Sequence, residues 1–427
     1  MTRQSEEMMR RVAFGTGLVL GVGLAMGFHL QAWSWFALLC VVTLVLLIWF
    51  AIWVRRKHPL RRLLYQLGLI VGSVAIGTAV SVLGIVLSSL LERVPPAEFI
   101  PVPEISSPVR RYVALGDSYS AGEGVRPYTH ETGKPGNERR KGCHRSEKSY
   151  AMLLQFATPL EQPRQFRACS GARIGNVLDF PQPKAGSYTP QVDNEVRGDR
   201  VDLITLTLGG NDLRFADILE FCFLNGNCLD DTFDPGERGP DETQTPRAAP
   251  LRKWIRTALP VVMKRLHTLL HELRYETHRH ARIVVIGYPQ LLPTGKASSR
   301  LISCSVVLQR YDADERDALA ELSEDVNEMI YETAVANEVE YVNPNQFWYG
   351  RSACGSLGHL TNALSPRGLS VDPGSFHPNR VGQRVLARTI ACYLNQYHTP
   401  FQPFPPERPL RIKPLPAPGT WLNPLKC

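Results

Sequence analysis

The sequence predicts an α/β fold built on a mainly parallel sheet, and three observations carry the prediction. Two runs, Val201-Asp-Leu-Ile-Thr-Leu-Thr-Leu208 and Arg282-Ile-Val-Val-Ile-Gly287, are nearly continuous apolar stretches rich in β-branched residues. That is the composition of strands covered by helices on both faces. Segments with apolar residues three and four apart alternate with such runs, as in Leu319, Leu322, Val326, Met329 and Ile330, and this spacing marks the buried stripe of a helix. Thirdly, Gly116-Asp117-Ser118 closes a strand-like run ending at Leu115 and leads into the small-residue turn Ala121-Gly122-Glu123-Gly124. A serine hydroxyl is thereby placed at the carboxyl end of a strand, where open α/β sheets keep their chemistry.

Taken in order, strands are expected at 112–115, 166–169, 201–208, 282–287 and 339–342, and helices at 251–279, 312–337 and 379–397. Pro260 either kinks the first helix or marks its true start, because proline gives no N–H to the preceding turn. Residues 225–250 are rich in Asp, Gly, Pro and Thr and read as a long irregular insertion, mobile and close to the site mouth. The domain organisation expected is a membrane anchor over 1–94, a Pro-rich spacer over 95–109, the α/β domain over 110–398 and a Pro-rich tail over 399–427.

The anchor rests on three apolar runs, 12–28, 35–54 and 65–91, none of which contains Asp, Glu, Lys or Arg. Each approaches or exceeds the ~20 residues a helix needs to cross a bilayer. A cleaved signal peptide accounts for the first run alone, not for the two that follow. Arg10 and Arg11 precede the first run, and Arg55, Arg56, Lys57, Arg61 and Arg62 separate the second from the third. The loop containing Trp33 and Trp35 has no Lys or Arg. Positive residues favour the cytoplasmic side, so the N-terminus is expected in the cytoplasm and everything after Leu91 outside, in a multi-pass protein of the cell membrane. Gly17 and Gly21, with Gly23 and Gly27, put small residues at the spacing that lets membrane helices approach closely, within the anchor or between copies of the chain.

The formal charge of +8 comes from 48 basic and 40 acidic residues without a dense basic tract in the α/β region, so nucleic-acid binding is not indicated. Cys40 falls inside the second run; Cys143, Cys169, Cys222, Cys228, Cys304, Cys354, Cys392 and Cys427 follow it. An even set of eight in an oxidising compartment reads as disulfides. No CxxC pair points to a metal site.

Four segments carry chemistry. Gly-Asp-Ser118-Tyr-Ser offers a nucleophile on a strand-to-helix turn, where backbone N–H groups and the helix terminus favour negative charge. Ser-Phe-His377-Pro-Asn offers a base, in a loop directly before the last helix and not on an apolar face. Ala-Cys-Ser-Gly171-Ala and Leu-Gly-Gly-Asn211-Asp follow the second and third strands. The Gly171 N–H and the Asn211 amide, with the Ser118 N–H, are candidates for holding an oxyanion.

In this order the four segments resemble the signature blocks of the SGNH (GDSL-type) hydrolases. The resemblance is nearest to the secreted actinobacterial lipase and esterase branch, through Gly-Asp-Ser-Tyr-Ser-Ala-Gly-Glu-Gly, Cys143-His-Arg-Ser146, Ala-Cys-Ser-Gly-Ala and Asp372-Pro-Gly-Ser-Phe-His-Pro-Asn379. It implies a flavodoxin-like three-layer α/β/α sandwich, no metal or other cofactor, and hydrolysis of acyl esters through an acyl-enzyme. It also implies the bridges Cys143–Cys169, Cys222–Cys228 and Cys304–Cys354, leaving Cys392 and Cys427 as a remaining pair. The family commonly has Asp three residues before the base; here that position is Gly374, and Asp372 is the nearest carboxylate. Either Asp372 or a main-chain carbonyl near Gly374 is then expected to orient His377.

The function expected is a membrane-anchored, extracytoplasmic serine ester hydrolase acting on lipids or acylated envelope glycans. The same acyl-enzyme would also serve an acyltransferase or a deacylase of envelope glycans. A non-catalytic envelope-binding protein would have no need of Ser118, Gly171, Asn211 and His377 together.

Overall fold

Five strands form one sheet: β1 (Tyr112–Gly116), β2 (Gln165–Phe166), β3 (Leu203–Thr207), β4 (Arg282–Ile286) and β5 (Glu340–Val342). This computed structural model describes residues 100–129, 142–182, 187, 189–198, 200–236, 247–293, 311–348, 350–354, 359–363, 366–367 and 370–397, together with Gly72. The spatial order is β2-β1-β3-β4-β5, and every neighbouring pair is parallel. That is the flavodoxin-like order, with its switch point between β1 and β3.

Alternation along the strands divides the core into two layers. Val113, Leu115, Ile204, Leu206, Ile283 and Val285 face one buried cluster, packed by α2 (Phe215–Leu224), α3 (Leu251–Glu276) and α4 (Ala313–Ala336). Tyr112, Ala114, Leu203, Val284 and Ile286 face the other, packed by residues 150–154 and α5 (Arg380–Gln396). Strands buried on both faces have no solvent side to mark with polar residues, which is why they read as unbroken apolar runs.

The helices start on recognisable signals. Asp312 caps α4 by accepting from Glu315 N–H, while the Glu315 side chain accepts from Asp312 N–H. Asn379 caps α5, its side chain taking the N–H groups of Val381 and Gly382. Each cap satisfies donors that the first turn leaves over.

Several expectations need correcting. Pro260 lies inside α3, which begins at Leu251, so it does not mark the start of the helix. Strand β2 is only two residues long, although Arg167, Ala168 and Cys169 still donate to the carbonyls of Ala114 and Gly116. Residues 100–109, expected as spacer, pack on the domain. Ile100, Val102, Ile105 and Val109 are buried with α5, and Glu104–Ile105 pairs with Gln155–Phe156. Apolar side chains between the prolines make this segment adhesive as well as stiff. The insertion after Asn225 is partly regular, because Thr232–Phe233 pairs with Ala249–Pro250 and Phe233 is buried against Trp254.

Contact density divides the chain into two units, Met1–Glu92 and Arg93–Cys427. Among the described residues no helix is long and apolar enough to cross a membrane. Apart from Gly72, the three expected spans lie outside the described residues, as does the tail beyond Tyr397.

Candidate active site

The nucleophile turn is forced by Gly116. Its φ is +112°, and a Cβ there would stand 2.4 Å from the Thr207 carbonyl oxygen on β3, so only glycine lets the chain turn this sharply beside its neighbour. Asp117 follows as the cap of α1 (Ser118–Ala121) and accepts from Tyr119 N–H at 3.0 Å. The Thr207 hydroxyl donates to its Oδ1 at 2.5 Å, and the Tyr288 hydroxyl donates to Oδ2. Burial raises the Asp117 pKa to about 6, with the Thr207, Tyr288 and backbone donors opposing the rise.

Ser118 is thus the first residue of a helix held rigidly to β3. Its Oγ lies 2.7 Å from His377 Nε2, across 259 residues of sequence. The ring's other nitrogen, Nδ1, donates to the Ser375 carbonyl at 3.0 Å, leaving Nε2 to accept the serine proton. The Tyr119 ring lies beside the imidazole with centroids 4.8 Å apart, and its hydroxyl donates to the Phe376 carbonyl. Burial lowers the His377 pKa, opposed by Glu123 and by the main-chain acceptors Ser375 and Pro373. A neutral imidazole, able to take a proton, is therefore favoured below the usual histidine range.

Asp372 does not reach the imidazole. Its Oδ1 accepts from Gly374 N–H at 2.8 Å, and its own carbonyl accepts from Ser375 N–H. A side chain two residues short of its glycine bonds back onto the turn in preference to crossing it. Of the two alternatives left open by the sequence, the main-chain carbonyl orients the histidine here, that of Ser375.

Gly171 and Asn211 line the same pocket as Ser118 and His377. Gly171 has φ +78°, so its peptide turns left-handed directly after the Cys143–Cys169 bridge. Asn211 Nδ2 donates one hydrogen to the Ala172 carbonyl at 3.0 Å, which fixes the amide and leaves its second hydrogen for a ligand. Neither the Ser118 nor the Gly171 N–H has a hydrogen-bond acceptor among the described residues. The Cys222–Cys228 bridge is present as well. Cys354 and Cys392 are disulfide-bonded; their expected partners, Cys304 and Cys427, lie outside the described residues.

The pocket beside Ser118 has a volume of about 270 Å³, and α2 supplies much of its wall through Phe215, Leu219, Glu220 and Phe223. Sequence reasoning missed this helix because aromatic and apolar residues crowd its short stretch without a clean stripe. No described residue of the 225–250 segment lines the pocket, and residues 237–246 of that segment lie outside the described residues. Two further residues were missed. Tyr288, just beyond β4, accepts from Gly210 N–H at 2.9 Å while bonding Asp117, and so links two site turns. Glu123 is 2% exposed and faces His144, Tyr128 and Ser170. Its signal was a lone acid between two glycines in the nucleophile block.

Residues 114–385 match the GDSL-like Lipase/Acylhydrolase family. A lipase of Streptomyces rimosus is 29% identical over 274 residues, covering 64% of this chain and 82% of the relative. Lipase 2 of Streptomyces coelicolor is 27% identical over 346 residues, covering 78% and 96%. Among solved structures, the Streptomyces albidoflavus NA297 phospholipase A1 aligns with a TM-score of 0.48 at 23% identity, covering 68% of this chain and 99% of that one. The family match spans every element that brings Ser118, Gly171, Asn211 and His377 together, and the chain belongs to the GDSL-like lipase/acylhydrolase family, as a serine ester hydrolase.

Proposed function

We propose that this chain is a membrane-anchored, extracytoplasmic hydrolase of neutral acyl esters that works through a Ser118 acyl-enzyme. The observation that carries the reading is the 2.7 Å contact between Ser118 Oγ and His377 Nε2 at the edge of an apolar pocket. His377 takes the serine proton as Oγ attacks the ester carbonyl carbon. The carbonyl oxygen, now negative, is met by the N–H groups of Ser118 and Gly171 and by the Asn211 amide. Each such donor supports about 2.7–4 kcal/mol of transition-state stabilisation. The imidazolium returns its proton to the departing alcohol, and water repeats the sequence on the acyl-enzyme to release the acid.

Phe215, Leu219, Phe223, Leu291, Val326 and Phe376 give the acyl group an apolar wall. The charged residues in the described lining are carboxylates, Asp117, Glu220 and Asp372, which favours an uncharged ester over an anionic one. The lipase names of the relatives agree with acyl esters as substrates. The anchor and its orientation rest on the three charge-free apolar runs and the basic residues flanking them.

One experiment tests chemistry and topology together. Intact cells carrying the full chain are treated with a membrane-impermeant fluorophosphonate, with Ser118→Ala as control. Labelling of the wild type alone is expected. Labelling that requires lysis would overturn the orientation, and no labelling in either state would overturn the hydrolase.

A further inference from the structure

Glu123 is a buried charge to which the hydrolytic sequence above gives no part. Three donors from separate loops converge on its carboxylate: the Tyr128 hydroxyl on Oε1 at 2.8 Å, and His144 Nδ1 and the Ser170 hydroxyl on Oε2 at 2.5 and 2.8 Å. The Tyr128 and His144 rings stack with centroids 4.7 Å apart, which closes that side. Ser170 immediately precedes Gly171, and its N–H is held by the Cys143 carbonyl at 3.0 Å. The carboxylate therefore ties the Cys143–His144 loop to the turn that presents the Gly171 N–H.

The opposite side leads to the base. Glu123 N–H donates to the Ser118 carbonyl at 2.9 Å, so the residue is fixed to the nucleophile helix. Gly124 packs directly on Gly374, where a Cβ on Gly124 would lie 3.0 Å from the Gly374 oxygen. Asn362 Nδ2 spans both, donating to the Gly374 carbonyl at 3.1 Å and the Gly124 carbonyl at 3.4 Å. The main chain beside Glu123 is thus seated on the loop that carries His377.

Burial alone would push the Glu123 carboxyl up. The hydrogen bond and charge of His144, the His377 imidazole and the Ser170 hydroxyl outweigh burial and hold it at about 2. In return Glu123 raises the proton affinity of His377, against burial and against His144. Tyr119 lies against the imidazole, and the other titratable groups lining the same pocket are Asp117, Glu220, Tyr288, Tyr311 and Asp372. Of these, Asp117 is bonded by Thr207 and Tyr288, and Asp372 by Gly374. The imidazolium is met by main-chain acceptors, the Ser375 carbonyl on Nδ1 at 3.0 Å and Pro373, and no carboxylate is hydrogen-bonded to it among the described residues.

We propose that Glu123 is a positioning residue of the hydrolase. Its buried carboxylate stabilises the imidazolium formed when Ser118 Oγ passes its proton to His377 Nε2, and it clamps the Ser170–Gly171 turn against the oxyanion. The proposal rests on the serine-hydrolase reading. It makes Glu123 the charge that complements the histidine where no carboxylate touches the ring.

The test measures fluorophosphonate labelling and hydrolysis of a p-nitrophenyl acyl ester by the full chain as a function of pH. Glu123→Gln is expected to move the acid limb down by about half a pH unit and to lower the plateau by about tenfold, with Glu123→Asp recovering part of both. A purely structural role would lower the plateau and leave the limb in place. A folded Glu123→Gln protein with the wild-type limb therefore overturns the proposal. Where Glu123→Gln does not fold, wild-type protein carrying 13C-labelled glutamate decides. The Glu123 carboxyl resonance is expected to shift through the titration of His377, and a stationary resonance overturns the coupling. A wild-type chain that neither labels nor hydrolyses removes the hydrolase itself, and this proposal falls with it.

Discussion

Replacing Asp372 by asparagine separates a carboxylate that acts on His377 from one that shapes its loop. The Asp372 Oδ1 accepts from Gly374 N–H at 2.8 Å, while His377 Nδ1 donates to the Ser375 carbonyl at 3.0 Å. Asparagine keeps an oxygen able to accept from Gly374 and loses only the charge. A charged acceptor is roughly twice as strong as a neutral one, and a neutral bond contributes a net of about 1 kcal/mol. The turn should therefore weaken by about 1 kcal/mol. Passed whole into the transition state, that is about fivefold in turnover. Loss of a carboxylate in direct contact with the imidazole would instead cost about 10⁴, or roughly 5.5 kcal/mol. The assay is kcat and kcat/KM on a p-nitrophenyl ester, with thermal melting of the same samples. A loss under tenfold is expected. A thousandfold loss at unchanged melting temperature would mean that the carboxylate swings onto the ring during reaction, and the reasoning from Ser375 would fail.

Opening the Cys143–Cys169 bridge, whose ends are 26 residues apart, should cost about 3.5 kcal/mol in the chain-entropy relation; opening Cys222–Cys228, 6 apart, should cost about 2.2 kcal/mol. Denaturant titration of the two alanine pairs checks the order, and a reversed order would refute it. Only the first pair should also slow turnover, because it braces the turn before Gly171. Tyr288→Phe leaves the buried Gly210 N–H without its acceptor and Asp117 without one donor, a loss of about 1–3 kcal/mol in stability. Turnover should fall as well, since Gly210 adjoins Asn211; a variant equal to wild type in both measurements would show that the hydroxyl links nothing.

The sheet was legible because burial on both faces leaves β3 and β4 no choice but apolar, β-branched residues. Helices α4 and α5 were legible through their apolar stripes; their caps emerged only with the structure. Less regular elements were not. Pro260 is tolerated within α3, where the long apolar face of the helix, with Trp254, Val262 and Leu266 fully buried, offsets the missing bond. Ser118 and His377 could be named because each stands in a turn whose residue types are restrictive. Glu123 and Tyr288 could not, because their roles come from partners across distant loops. Tyr288 meets Asp117 171 residues away, and Glu123 meets Ser170 only where the Cys143–Cys169 bridge gathers both loops. The orienting group of His377 was undecidable for a related reason, since a main-chain carbonyl leaves no residue type to read.

That carbonyl has a consequence for how such an enzyme varies. A side-chain acid can be deleted, or exchanged by a single codon change, and it can be protonated away in acid. The Ser375 oxygen can be neither mutated nor titrated, since every residue type carries it and no accessible pH removes it. The third position is inherited as the shape of a loop, so drift at Asp372, Pro373 or Ser375 is filtered by whether the turn still closes. Sequence comparison at those positions will undercount what selection maintains there, and inhibitor resistance through loss of a third catalytic side chain is not a route open to this site.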